Sequence, residues 1–171
     1  MDNATVLKRT DCRLREDVVP SDCDAVRAIV EGTGFFRPDE VDVAVELVDE
    51  RLAKGPESGY LFVFAEIDGE PAGYACYGPI ACTTASYDLY WIAVAPRWQR
   101  GGLGRRLLAE VERLVAAAGG ERIYIDTSGK PQYAPTRGFY ERNGYQIAAR
   151  LADFYAPGDD RVICVKILSA R

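Results

Sequence analysis

Tyr90-Trp91-Ile92-Ala93-Val94-Ala95-Pro96-Arg97-Trp98-Gln99-Arg100-Gly101-Gly102-Leu103-Gly104-Arg105-Arg106-Leu107-Leu108 is the stretch on which the reading of this chain turns. It reads as a strand, a glycine-rich turn and the start of an amphipathic helix. The turn has the form Gln99-x-x-Gly102-x-Gly104. Glycine carries no Cβ, so backbone N–H groups there can approach a ligand closely. The helix behind adds unpaired N–H donors and the positive end of its dipole. Together these make an anion site of the kind that holds a pyrophosphate. Arg97, Arg100, Arg105 and Arg106 flank it and can meet further phosphate charge.

The rest of the composition narrows the class. The chain has 171 residues, of which 48% are hydrophobic, enough for one domain with a sizeable core. The formal net charge is −5, so the basic footprint of a nucleic-acid binder is missing and no nucleic-acid partner is expected. No apolar run reaches the roughly 18 residues of a membrane span, and no membrane partner is expected. The first residues lack the charged and apolar regions of a secretory signal. The five cysteines, Cys12, Cys23, Cys76, Cys82 and Cys164, are dispersed and odd in number, which suggests reduced thiols and a cytoplasmic location. The chain has no histidine. That excludes Ser-His-Asp and Cys-His catalysis and every histidine-dependent zinc site, and no metal is expected. Proton transfer falls to carboxylates, tyrosines, lysines, cysteines or water.

Residues 1–11 carry no pattern and read as an N-terminal extension to a domain over 12–171. Residues 12–18 read as a first strand. Ser21 followed by Asp24 suggests an N-cap box for a helix near 22–32, closed by Gly32 and Gly34. Pro38 suits the first turn of a second helix, with Val41, Ala44, Val45, Val48 and Leu52 on its apolar face. A hairpin follows, 60–67 and 71–78 around Asp68-Gly69. Residues 87–94 form the next strand. The helix after the glycine turn places Leu103, Leu107, Leu108, Val111, Leu114, Val115 and Ala118 on one side and ends at Gly119-Gly120. Residues 121–126 read as a strand and 134–142 as a short helix ended by Gly144. Strands near 145–152 and 161–168 complete the chain. The order β-α-α-β-β-β-α-β-α-β-β describes one α/β domain, a mixed central sheet of six to seven strands flanked by about four helices.

Order and turn together resemble the GNAT superfamily of acyl-CoA-dependent N-acyltransferases, over about Cys12 to Leu168. The family's Gln/Arg-x-x-Gly-x-Gly/Ala motif after the fourth strand stands here as Gln99-Arg100-Gly101-Gly102-Leu103-Gly104. A second signature, aromatic-Tyr-x-x-x-Gly-aromatic, stands as Phe139-Tyr140-Glu141-Arg142-Asn143-Gly144-Tyr145, about 40 residues on. A dinucleotide fold would instead want Gly-x-Gly-x-x-Gly in an N-terminal βαβ unit. A P-loop would want Gly-Lys-Ser/Thr, which the turn lacks.

The resemblance implies acetyl transfer from acetyl-CoA to a primary amine by direct attack. The acceptor would be a small-molecule amine or a protein N-terminus. It implies cofactor contacts along Ile92, Ala93 and Val94, where the family's fourth strand bulges and backbone N–H groups serve the oxyanion. The same holds for the turn Gln99, Arg100, Gly101, Gly102, Leu103, Gly104 and Arg105. Tyr140 matches the tyrosine near the thioester sulfur, a general acid for the leaving thiolate. Phe139 would then be the aromatic that packs the short helix on the sheet. Asp88 falls where some members carry a glutamate on the fourth strand: either a base whose pKa is raised by desolvation, or a solvent-facing strand aspartate. Many members have an asparagine seven residues before the tyrosine; here that position is Tyr133, and its hydroxyl, or that of Thr127 or Ser128, takes over the pantetheine contact. Phe35 and Phe36 either line the acceptor pocket or plug the core. Asp153, in Asp153-Phe154-Tyr155, resembles a segment near the acceptor in ribosomal-protein N-terminal acetyltransferases and would bind a cationic amine; the alternative is a polar hairpin residue. A catalytically silent acyl-CoA-binding regulatory module is the competing function. The oligomeric state is open, a homodimer included.

Overall fold

The structure, a computed structural model, describes residues 12–168. The expected extension at 1–11 lies outside the described residues. Seven strands and four α-helices alternate as β1 (Cys12–Arg15), α1 (Asp22–Thr33), α2 (Pro38–Lys54), β2 (Leu61–Ile67), β3 (Glu70–Pro79), β4 (Ser86–Val94), α3 (Leu103–Ala117), β5 (Arg122–Ser128), α4 (Ala134–Arg142), β6 (Gln146–Ala156) and β7 (Asp159–Ile167). The sheet order is β1-β2-β3-β4-β5-β7-β6. The described residues fall into two compact units, one of residues up to 77 with 91–111, the other of 78–90 with 112 onward.

In the first unit, β1, β2 and β3 form an antiparallel meander. Asp68 and Gly69 turn β2 into β3 with φ of 54° and 81°, the two left-handed residues of a tight hairpin. β2 and β3 are buried on both faces, so they read as nearly unbroken apolar runs. Phe62, Phe64, Tyr74 and Cys76 face α1 and α2 and pack with Val26, Val30, Val41, Ala44 and Val48. The Phe64 ring stacks 5.8 Å from Phe62 and 6.0 Å from Tyr74. Each such side chain contributes roughly 1.5–3 kcal/mol by leaving water. The opposite face carries Gly73, whose missing side chain lets the structure close up. A Cβ there would lie 2.9 Å from the Ala93 carbonyl oxygen and 3.2 Å from Leu107 Cδ1. Leu103, Leu107, Leu108 and Val111 of α3 are all buried.

The start of α1 differs from expectation. Ser21 makes no capping bond. Asp22, 1% exposed, instead ties the start of α1 to the segment before it. Its carboxylate accepts the Val19 N–H at 2.8 Å and both arms of the Arg15 guanidinium at 2.9 Å. Arg15 also holds Glu66 at 2.7 Å and lies 4.6 Å over the Phe64 ring. Leu52 is 37% exposed, outside the apolar stripe of α2.

In the second unit, β4 pairs with β5 in parallel from Ser86↔Arg122 to Leu89↔Ile125. β5 and β7 are antiparallel, as are β7 and β6. The core is Leu89, Val115, Ile123, Ile125, Tyr140, Tyr145, Val162 and Cys164. Ala118 is exposed, because α3 ends at Ala117. Lys166 ties β7 to α3 through Glu112 at 2.7 Å and to the end of α4 through the Asn143 carbonyl at 2.9 Å. β6 and β7 run longer than their apolar patterns suggest and meet at Pro157-Gly158. β6 is exposed along nearly its whole length.

Gly73→Ala is expected to lower the stability of the fold by about 1–3 kcal/mol through overpacking against the Ala93 carbonyl. The measurement is the urea unfolding midpoint; an unchanged midpoint would mean that this carbonyl yields at no cost.

Candidate active site

The glycine turn belongs to the first unit. Its take-off is fixed by the end of β4. The Ala95 N–H donates to the Ala72 carbonyl at 2.9 Å, and a short 3-10 turn over Pro96–Trp98 follows. The Gln99 side-chain amide donates back to the Val94 carbonyl at 2.9 Å. Gln99 is thus a clamp on the strand, and its place in the motif has a local structural cause. Arg100 and Gly102 then take φ of 64° and 83°, and α3 begins at Leu103. Only glycine adopts the second of these freely. A Cβ at Gly102 would meet no atom within 4 Å. The space before the turn is open, and the first residues of α3 present helix-start N–H groups. The Arg106 N–H closes the first helical bond, to the Gly102 carbonyl at 3.1 Å.

These features fit a pyrophosphate: open space where a side chain would intrude, unpaired N–H donors and the positive dipole end. Leu103 is 3% exposed, so its side chain serves the core and only its backbone is available to a ligand. All four flanking arginines are exposed. Arg106 also donates to the Cys12 carbonyl at 2.9 Å, and Arg97 lies 5.3 Å over the Trp98 ring. Of the strand residues ahead of the turn, Ala93 is buried and Ile92 and Val94 are half-buried. The pair Phe35-Phe36 also splits: Phe35 is 44% exposed, whereas Phe36 packs against the core, 4.8 Å from the Trp91 ring.

The remaining candidates belong to the second unit. Tyr140 is 5% exposed, with ring neighbours Phe139 at 5.4 Å and Tyr145 at 5.9 Å. Burial pushes its phenol above the ordinary value, and Cys164 adds to the rise. Tyr140 therefore holds its proton at neutral pH. Tyr140 is the buried ring of the pair and Phe139 is half-buried. Position 140 faces the sheet because Tyr145 and Cys164 close over it, a contact the helical spacing alone does not reveal. Burial also lifts the Asp88 carboxyl above the ordinary carboxylate value; Asp126 adds to the rise and Arg161 opposes it. Asp126 and its ion-pair partner Arg161 escaped the sequence reading. Their trace in the sequence is an aspartate at the outward phase of the Ile123–Ile125 alternation.

Tyr133 is half-buried at the start of α4. The Ser128 hydroxyl donates to Asp159 and accepts the Lys130 N–H, so it is already engaged; Thr127 is 7% exposed. Asp153 sits at φ 52° in the β6–β7 hairpin, where its carboxylate accepts the Gly158 N–H at 2.6 Å and its own N–H donates to Asp160 at 3.1 Å. A cleft of about 670 Å³ opens along α4, lined by Arg137, Gly138, Glu141, Ile147 and Cys164 among others; Tyr140 is not part of its wall. Among the described residues no group of three or more Cys, Asp or Glu is placed to hold a metal.

Similarity to known proteins agrees with this geometry. Residues 27–145 match the acetyltransferase (GNAT) family. A crystal structure from Desulfovibrio desulfuricans, described as an acetyltransferase of the GNAT family, is 53% identical, covering 92% of this chain and 99% of its own, with a TM-score of 0.91. More distant chains share the fold. An aminoglycoside 6′-N-acetyltransferase complexed with coenzyme A is 21% identical over 93% of this chain and 98% of its own, with a TM-score of 0.76. The ribosomal-protein-S18-alanine N-acetyltransferase of Escherichia coli is 20% identical over 92% and 94%, with a TM-score of 0.72. No protein of curated function matches the sequence significantly. With a strand, a glycine turn and a helix start built for a pyrophosphate and a family match over most of its length, the chain belongs to the GNAT acetyltransferase family.

Proposed function

We propose that this protein is an N-acetyltransferase that takes its acetyl group from acetyl-CoA and passes it to a primary amine. The observation that carries the reading is the turn at Arg100–Leu103, open at Gly102 and backed by the N-terminus of α3. Acetyl-CoA supplies an acetyl group already activated as a thioester. Backbone N–H groups of Gly102, Leu103, Gly104 and Arg105 bind pyrophosphate oxygens, and the exposed Arg100 and Arg105 side chains add charge. The backbone of Ile92–Val94 orients the acyl arm.

Three requirements of the transfer fall to side chains. The incoming amine must be neutral when its nitrogen bonds to the acetyl carbon; Asp88, with its raised pKa, takes the proton directly or through a water. The phenol Oη of Tyr140 retains a proton and donates it to the sulfur that leaves. Its elevated pKa makes it a persistent hydrogen-bond donor, which no carboxylate would be at neutral pH. The third requirement is an acceptor pocket, for which the exposed Phe35 and the half-buried Phe36 are the candidate walls. Acceptors named for structural relatives, an aminoglycoside and the N-terminal alanine of a ribosomal protein, set the first classes to try. The acidic chain, its five free cysteines and the reaction's need for acetyl-CoA support a cytoplasmic site of action.

The deciding experiment is an acceptor screen with polyamines, amino acids, aminoglycosides and N-terminal peptides, following free CoA release. Failure of every amine to release CoA above the hydrolytic background, with acetyl-CoA bound, would favour a binding module over an enzyme. With the best amine from that screen, Tyr140→Phe is expected to lose about 10²-fold or more in kcat while acetyl-CoA affinity stays unchanged. Equal turnover would remove Tyr140 from the proton path. Gly102→Val is expected to abolish acetyl-CoA binding in titration calorimetry. A side chain at that left-handed φ also costs about 1–2 kcal/mol of stability, so binding is measured well below the variant's own unfolding temperature. Wild-type affinity in a folded variant would refute the pyrophosphate assignment.

A further inference from the structure

Three charged groups of the second unit share one sheet face. On β5 the side chains alternate: Ile123, Ile125 and Thr127 are buried, and Tyr124, Asp126 and Ser128 take the other face. Asp88 of β4 is the register partner of Tyr124, so it belongs to that second face, with Asp126 one step further along it. Arg161 of β7 is the register partner of Ser128 and joins them. Its Nη2 pairs with Asp126 Oδ2. Its guanidinium lies 4.9 Å over the ring of Phe154, from β6. Two neighbouring strands, β6 and β5, thus hold Arg161 by an aromatic face and a carboxylate. Its Nε is buried without a hydrogen-bond partner, so the head group is oriented by those two contacts.

We infer that Asp126, fixed in place by Arg161, is a positioning residue that sets the protonation state of Asp88. The inference rests on the reading of Asp88 as the base. Asp88 is half-buried and Asp126 exposed beside it on the same face, and the like charge of Asp126 disfavours ionisation of Asp88. Arg161 compensates Asp126 first, through direct contact, and Asp88 second, through space. Burial raises Asp88 most, Asp126 adds to the rise and Arg161 opposes it. On this face Asp88 has Tyr124 and Asp126 from β5, Arg161 from β7 and Tyr90 on its own strand, and Asp126 and Arg161 are the charged groups that act on it beside its burial. A base tuned this way binds its proton more readily than an ordinary aspartate, which is what proton removal from an amine requires.

The test is a pH titration of the full chain labelled with ¹³Cγ-aspartate, without acetyl-CoA or acceptor, followed by NMR. The Asp88 signal is identified by its loss in Asp88→Asn. Asp126→Asn is expected to move the Asp88 midpoint down, toward the ordinary carboxylate value. Arg161→Gln is expected to move it up. If Arg161→Gln does not fold, Asp126→Asn, which keeps the shape of its side chain, decides alone. An Asp88 midpoint that is the same in Asp126→Asn as in the wild type, or that rises, overturns the inference. Where the screen supplies an amine, the acid limb of the kcat/KM profile moves down in Asp126→Asn with the alkaline limb unmoved; a purely structural loss lowers the whole profile without moving either limb. Because the titration needs no acceptor, a shifted Asp88 in a protein that acetylates no amine would refute the enzymatic reading and leave the coupling intact.

Discussion

The absence of a side chain at Gly73 is the constraint on which the cofactor half of this fold depends. With a Cβ there, the Ala93 carbonyl at 2.9 Å and Leu107 at 3.2 Å could not both stay. One residue of β3 thus governs how near the end of β4 and the first turns of α3 come to the meander. The glycine turn is the short link between those two elements, so its geometry follows from their spacing. Gly32 acts similarly from the α1 side, where a Cβ would reach Pro96 Cδ at 3.3 Å. Close packing on both sides leaves the turn few ways to be built. The bond from Gln99 to Val94 and the left-handed residues Arg100 and Gly102 select one of them.

A pre-set turn matters because a ligand held there would be met mostly by backbone. Backbone N–H groups have no rotamers to search, and a helix start orients several of them together. Anion binding then costs little ordering entropy. Proton transfer is what backbone cannot supply, and in a chain without histidine burial raises the proton affinity of Tyr140 and Asp88 alike.

Most of the fold was legible because its signals are local. The spacing of Val41, Ala44, Val45 and Val48 marks a buried helix stripe, Asp68-Gly69 marks the hairpin, and Gln99 to Gly104 marks the turn. What was misread involves residues whose partners are far along the chain. Ser21 makes no cap because its own backbone is already helical, and Arg15 and Val19 fix the helix start through Asp22. Arg106 bonds a carbonyl 94 residues away, a partner that its place beside the glycine turn does not reveal. Phe36 proved to be a core plug against Trp91 and Phe35 a surface ring, although the two are adjacent and alike. Asp126 was overlooked because an aspartate in a strand has no meaning until Arg161, 35 residues on, is brought beside it.

The sequence by itself determined the order of the elements, the place of the anion turn and the range of chemistry open to a histidine-free chain. Each of these depends on residue type and short spacing, through periodicity, φ preference and proton affinity. The tertiary structure alone decided which charges are spent on holding the fold and which remain for chemistry. Charge pairing acts through space, so strand register and helix docking assigned Arg15 to Asp22, Arg106 to a strand carbonyl and Arg161 to Asp126. Burial, likewise a property of the assembled core, gave Tyr140 and Asp88 the proton affinities that their residue types alone do not carry.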